Sequence, residues 1–207
     1  PADPIFVALA HTIRTFDIPV SLFSDLLSAF RQDVNQSRHQ TFEDLLNYSK
    51  RSANPVGRLI LTLFGYNDVR MFAESDAICT ALQLTNFWQD IEIDYGRGRI
   101  YLPKEEMVRH NITEADLGNG EVSDRFKSLV KDMIHRTRQL FLDGKALPDR
   151  VTGRLKYELR LTWLGGFRIL QKIEEANFDI FRNRPSISKS QGVGMLFRSL
   201  RSIETIT

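Results

Sequence analysis

Apolar residues recur at three- and four-residue steps along nearly the whole chain, the spacing that lays one stripe down an α-helix. Ile5, Leu9, Ile13 and Phe16 mark a first helix opening at Pro4, where proline's fixed φ suits the first turn. Pro19 restarts the chain, and Leu22, Phe23, Leu26, Leu27 and Phe30 form a broad apolar stripe. Thr41, with Asp44 three residues on, predicts a capped start for the segment 41–52. Pro55 predicts a break or kink before VGRLILTLFGY, which Gly65 suits as a C-terminal cap.

The longest uninterrupted pattern runs over residues 68–94, with Ala77, Ala81, Leu84, Trp88 and Ile91 on one face. A short helix KEEMVRH follows, then a polar, glycine-bearing link over 113–121. Phe126, Leu129, Val130, Met133, Ile134 and Leu140 predict a helix of about 25 residues, which Pro148 ends or follows. A further helical pattern spans 151–181 and carries the pair Gly165 and Gly166 midway. Each glycine costs roughly 1 kcal/mol in a helix, so the pair marks a kink, close packing or room for a ligand. No stretch alternates with period two for the length of a sheet strand, and no repeat is present. The expected fold is all-α.

Composition narrows this reading. With 207 residues and 42% hydrophobic content the chain can bury one sizeable core, so one domain over 1–207 is expected. A formal net charge of +2, with acids and bases mixed, gives no argument for a nucleic-acid partner. The lone Cys79 excludes an internal disulfide, fits a small core residue and is compatible with a cytoplasmic location. No apolar run reaches the roughly 18 residues of a spanning helix. In the tail, Val193, Leu196, Phe197, Leu200 and Ile203 share a face near Lys189, Arg198 and Arg201, which fits either a helix docked on the bundle or a basic helix on a membrane surface.

The chemistry concentrates in QLTNFWQDIEIDYGRGRIYLP, residues 83–103. Asp90 and Asp94 form the only Asp-x-x-x-Asp of the chain. One helical turn apart, at about 3.6 residues per turn, they project from one face and repel. The helix C-terminus disfavours them further by some tenths of a kcal/mol each, and a divalent cation would reverse both penalties. At about 100° per residue, Asp76, Thr80, Gln83, Asp90 and Asp94 fall in an arc of roughly 80°, with Asn86 about 40° beyond Asp90. That face offers amide and carboxylate oxygens and no lysine, as a metal and a polar ligand in a cleft require. His11, His39, His110 and His135 lack ligand spacing and read as structural or surface residues.

The order Gln83, Asn86, Asp90, Asp94 and then Arg-Gly-Arg-Ile-Tyr-Leu-Pro closely resembles the second aspartate-rich segment of the squalene/phytoene synthase family. YSKRSANPVG is similar to the family's Tyr-Cys-x-x-Val-Ala-Gly-x-Val-Gly segment at Tyr48, Ala53, Val56 and Gly57, and departs from it at Ser49, Ser52 and Asn54. The resemblance continues through GGFRILQKIEEANFDIFRNRP. Within the family, NFWQDI, SANPVG and the Gly165–Gly166 pair look most like bacterial hydroxysqualene synthases of hopanoid pathways.

The resemblance implies an isoprenoid synthase-like helical bundle around a central cavity, acting on an isoprenoid diphosphate gripped by Mg²⁺ between two aspartate-rich helices. Asp90, Asp94 and Asn86 would meet the metal, a hard cation suited to oxygen donors. Gln83 and Tyr48 would face the reacting centre, and Arg97 and Arg99 would pair with diphosphate oxygens. The bland readings stand beside these. Tyr48, Phe87 and Trp88 also suit a core, Arg97 and Arg99 could merely pair with the acidic helix end, and Arg184 and Lys189, which match basic family positions, also suit a surface. The family's first aspartate-rich helix has no counterpart in this sequence, so the chain is expected to lack the N-terminal quarter of a full-length member and, on its own, half of the clamp.

Overall fold

The computed structural model describes residues 3–203, and its organising element is the helix predicted to be longest. We number the helices in chain order: α1 (Pro4–Thr15), α2 (Val20–Asn35), α3 (Phe42–Ser52), α4 (Asn54–Leu63), α5 (Val69–Gln89), α6 (Ile91–Gly96), α7 (Lys104–Arg109), α8 (Glu114–Gly118), α9 (Asp124–Asp143), α10 (Leu147–Arg150), α11 (Gly153–Glu175) and α12 (Lys189–Arg198). Among the described residues the extended backbone amounts to one isolated parallel bridge between Arg38 and Ile100. The expected all-α fold is observed.

Helix α5 runs through the middle and packs against α3, α4, α9, α10 and α11. Its Ala81, Leu84 and Trp88 are fully buried, and so are Leu129, Val130, Met133 and Ile134 on α9, which faces it. Close approach to α11 depends on Gly166, where a Cβ would come within 2.5 Å of Phe141 Cζ and 2.6 Å of Leu82 Cδ2. The adjacent Gly165 has only Ile187 Cδ1 at 3.8 Å. Helix α11 continues through both residues, so close packing at Gly166 is the role that the structure assigns to the pair.

Several boundaries follow local chemistry. Asp3 caps α1 ahead of Pro4, Thr41 and Asp44 form a reciprocal capping box at α3, and Gly65 takes φ +82° after α4. Other boundaries depart from expectation. The pattern over 68–94 is two helices, because Asp90 leaves helical geometry at φ −110°, ψ 18°. The Asp94 amide still bonds to the Asp90 carbonyl at 2.8 Å, so the turn is redirected rather than cut, and α6 packs on α8. Within 113–121, Thr113 and Asp116 form a second capping box that starts α8. Helix α9 is 20 residues long, and Pro148 lies inside the separate α10. The pattern over 151–181 ends as a helix at Glu175, since Asn177 and Phe178 adopt φ of +52° and +63°, a conformation that helices cannot continue.

The tail forms α12, which contacts α11. Val193, Leu196, Phe197 and Leu200 remain exposed, whereas Ser199 and Ile203 are buried. No helix among the described residues is long and apolar enough to cross a membrane.

Candidate active site

Helix α5 carries its polar residues to two different destinations. Toward its N-terminal half, the Arg58 guanidinium donates to both Asp76 carboxylate oxygens, and Thr80 donates to Asn54 Oδ1 at 2.9 Å. These bonds tie α5 to α4: the buried Thr80 serves packing, while Asp76, paired with Arg58, lines a cleft with Lys50 and Asn54 away from the Asp90 end. Farther along, the half-buried Gln83 and the exposed Asn86 make no side-chain hydrogen bond to the described residues. Their amides are therefore available to a ligand. Trp88 is core, with its indole N–H donated to Thr137 Oγ1 at 2.8 Å.

At the α5–α6 junction Asp90 and Asp94 lie together and half-buried. Burial first, and then the Asp90 charge, push the Asp94 carboxyl above its ordinary value, while Arg97 and Arg99 pull it back. The reach of both arginines to Asp94 comes from the turn that follows. The Asp94 carbonyl accepts the Arg97 amide at 3.0 Å and the Arg99 amide at 2.8 Å, and Gly98 reverses the chain at φ +76°. Arg38 fastens that turn from outside, donating to the Gly98 carbonyl at 2.7 Å and to both Glu114 oxygens at 2.8 and 2.9 Å. Ile100 N and Lys104 N then bond to the Ser37 and His39 carbonyls, each at 3.0 Å. The segment RGRIYLP is thereby docked on residues 37–40, and Tyr101 turns toward α5.

Below the carboxylates is an aromatic floor. Tyr101 stacks on Phe87 at 3.8 Å with planes 10° apart, and Tyr48 lies 6.2 Å from Phe87. His39 stacks on Tyr101 at 5.7 Å and meets Tyr48 edge-on at 5.6 Å. Burial lowers the His39 pKa, which keeps the ring neutral. The Tyr48 hydroxyl donates to Asp33 Oδ2 at 3.1 Å, and burial followed by that bond raises its pKa well above the usual phenol value. Phe87, Ile91, Asp94, Arg99 and Tyr101 enclose a void of about 10 Å³, room for about one water.

The structure thus brings Asp90, Asp94, Arg97 and Arg99 together with Tyr101 and Phe87, and it places Tyr48 on the same aromatic floor. One participant, Asp33, and one pairing, Arg184 with Asp90, lie beyond what the sequence discloses. Asp33 sits 15 residues before its partner Tyr48, without a motif. Arg184 donates to both oxygens of Asp90, with the Nη2–Oδ2 contact at 3.1 Å; its basic family position was legible, but its partner was not. Lys189 is exposed at the start of α12. Of the histidines, His39 is buried in the aromatic floor, His110 lies 3.1 Å from Asp132, and His11 and His135 are exposed.

The donor chemistry fits a hard divalent cation in part. Asp90, Asp94 and the free amide of Asn86 supply oxygen only, as Mg²⁺ prefers. Among the described residues no cluster of three or more His, Cys, Asp or Glu could hold an ion by itself. A pair of carboxylates is nonetheless what a cation needs when it keeps several waters and takes phosphate oxygens from its substrate.

Residues 1–191 match the family described as squalene/phytoene synthase. The chain belongs to that family. It is 32% identical to a 15-cis-phytoene synthase of Synechococcus elongatus over 89% of this chain and 64% of the relative, and 34% identical to one of Synechocystis sp. over 89% and 58%. The chain therefore spans about three fifths of the length of these curated relatives. Among solved structures, squalene synthase HpnC of Alicyclobacillus acidocaldarius is 37% identical with a TM-score of 0.82, covering 86% of this chain and 67% of that one. A dehydrosqualene synthase shares the fold over 99% of this chain at 23% identity and a TM-score of 0.88. The isoprenoid synthase-like helical bundle expected from the sequence is the fold of these synthases.

Proposed function

We propose that the chain forms the second aspartate-rich wall of a Mg²⁺-dependent isoprenoid synthase, converting presqualene diphosphate and water to hydroxysqualene and diphosphate. The observation that carries this reading is the paired Asp90 and Asp94 above an aromatic floor, with the unbonded amides of Gln83 and Asn86 on the same helix. The 37% identity to HpnC supports this branch of the family. The phytoene synthases among the relatives support a second reading, in which a longer isoprenoid diphosphate is the substrate.

In this reading Asp90 and Asp94, joined by Asn86, would hold the cation beside the diphosphate end of the substrate. Bound Mg²⁺ neutralises the departing diphosphate and favours cleavage of the C–O bond. Arg97 and Arg99 add guanidinium donors for the diphosphate oxygens released there. Phe87, Tyr101 and Tyr48 give the reacting carbon skeleton an apolar, water-excluding surface. The Tyr48 proton is engaged by Asp33, which fixes the hydroxyl's direction instead of leaving it free to quench a cation. The uncommitted Gln83 amide orients the one water admitted, which supplies the product hydroxyl and gives up a proton to the released diphosphate. The pair alone would not complete a cation's shell, and the substrate diphosphate would supply further oxygen donors.

Product analysis tests the choice of substrate. Purified protein containing residues 1–207, incubated with Mg²⁺ and either presqualene diphosphate or geranylgeranyl diphosphate, is expected to yield hydroxysqualene from the first and no phytoene from the second. Phytoene formation would favour the second reading. Failure to convert presqualene, farnesyl and geranylgeranyl diphosphates would instead favour a synthase-like binding module without catalysis.

A further inference from the structure

Arg184 reaches Asp90 across 94 positions of sequence, and its neighbours fix the backbone that carries it. The buried Gln89, next to Asp90, donates its side-chain amide to the Pro185 carbonyl. Lys172 on α11 donates to the Ser186 carbonyl at 2.6 Å. Pro185 also confines residue 184 to extended backbone. The segment 184–186 is therefore a strap tied to α5 on one side and α11 on the other. The Arg184 guanidinium grips both oxygens of one carboxylate, while no hydrogen bond to a side chain engages the Asp94 carboxylate among the described residues. The Arg184 side chain is 45% exposed and that of Asp90 is 24% exposed, so the guanidinium can swing into solvent without moving the strap.

A guanidinium that grips both oxygens of one carboxylate competes with a divalent cation for them, because it occupies their lone pairs and sets a like charge beside the incoming ion. Resting on the reading of Asp90 and Asp94 as metal ligands, we propose that Arg184 is an intramolecular stand-in for the cation: it occupies Asp90 in the unloaded protein and must leave before a divalent metal can bridge the pair. Arg184 is then a positioning residue that sets metal affinity. The unpaired Asp94 offers the first foothold, and the exchange at Asp90 completes binding. The device also offsets part of the repulsion between the two carboxylates in the unloaded state, since Arg184 supplies positive charge at Asp90.

The test measures binding of Mn²⁺ alone, followed by water-proton relaxation, to the wild-type chain and to Arg184→Gln, Arg182→Gln and Asp90→Asn, each checked for folding by circular dichroism. Arg182 pairs with Asp179, so Arg182→Gln removes the same formal charge two residues away without touching Asp90. We expect Arg184→Gln to tighten Mn²⁺ binding about two- to fivefold, the upper part of the range of a partly exposed ion pair, and Arg182→Gln to change it by less than about 1.5-fold. Equal tightening in both arginine variants would show a general field effect and overturn the proposal, as would unchanged or weaker binding in Arg184→Gln. Asp90→Asn separates the two levels: loss of binding there supports the metal site whatever Arg184 does. Binding unaffected by Asp90→Asn, or absent from every form, would overturn the metal site and the latch together.

Discussion

Asp94 shows how a single carboxyl can be placed against its own preference. Burial and the neighbouring Asp90 raise its pKa, so at neutral pH the ionised group is less favourable in the folded chain than in the unfolded one. That penalty is present above the folded value, fades as pH falls toward the ordinary 3.8 of an aspartate, and is gone below it. Asp94→Asn is therefore expected to raise Tm at pH 7, by about 2–4 °C per kcal/mol relieved in a chain of this size, with an advantage over wild type that disappears at about pH 3.8 and below. Thermal melts of both proteins across pH 3 to 8 check this. An advantage that grows on acidification would show that the carboxyl is stabilised by its surroundings rather than strained by them. Such a residue costs stability and fits a place prepared for a cation.

Among the elements, α5 explains both what its sequence disclosed and what it concealed. Its helical period and the chemistry of its last turn were legible because local spacing determines which carboxylates share a face. The break at Asp90 was not, since the apolar period runs on through Ile91 and the ties at that point reach Arg184 and Pro185, far along the chain. Thr80 misled for the same reason: a polar residue on the arc reads alike whether it meets a cleft or the partner that α4 supplies in Asn54. The capping boxes at Thr41 and Ser188 and the turn at Gly65 are set by neighbours and follow local rules. The glycine pair on α11 gives a sharp contrast. Gly166→Ala would push a methyl to 2.5 Å from Phe141, an overpacking expected to cost about 1–3 kcal/mol. Gly165→Ala meets only Ile187 Cδ1 at an ordinary 3.8 Å and is expected to be neutral or to stabilise by up to about 1 kcal/mol. Chemical denaturation of both variants would contradict this assignment if their order were reversed.

Across the whole molecule, one buried helix holds the packing together and delivers the chemistry at its end. Helix α5 packs against α3, α4, α9, α10 and α11, and the same rigid packing that buries Trp88 directs Gln83 and Asn86 outward and sets Asp90 and Asp94 above Phe87 and Tyr101. Segments distant in sequence then close around that end: α2 through Asp33, the 37–40 segment through its bonds to the RGRIYLP turn, and the strap through Arg184. The site is consequently an assembly of tertiary contacts around one legible motif. The central claim, that the aspartate pair is a metal-dependent diphosphate wall, is tested most directly by diphosphate release from presqualene diphosphate as Mg²⁺ is titrated, comparing wild type with Asp90→Asn at matched helical content. The account predicts release that requires Mg²⁺ in the wild type and falls at least about 100-fold in Asp90→Asn. Release that is independent of Mg²⁺, or undiminished by the substitution, would contradict it.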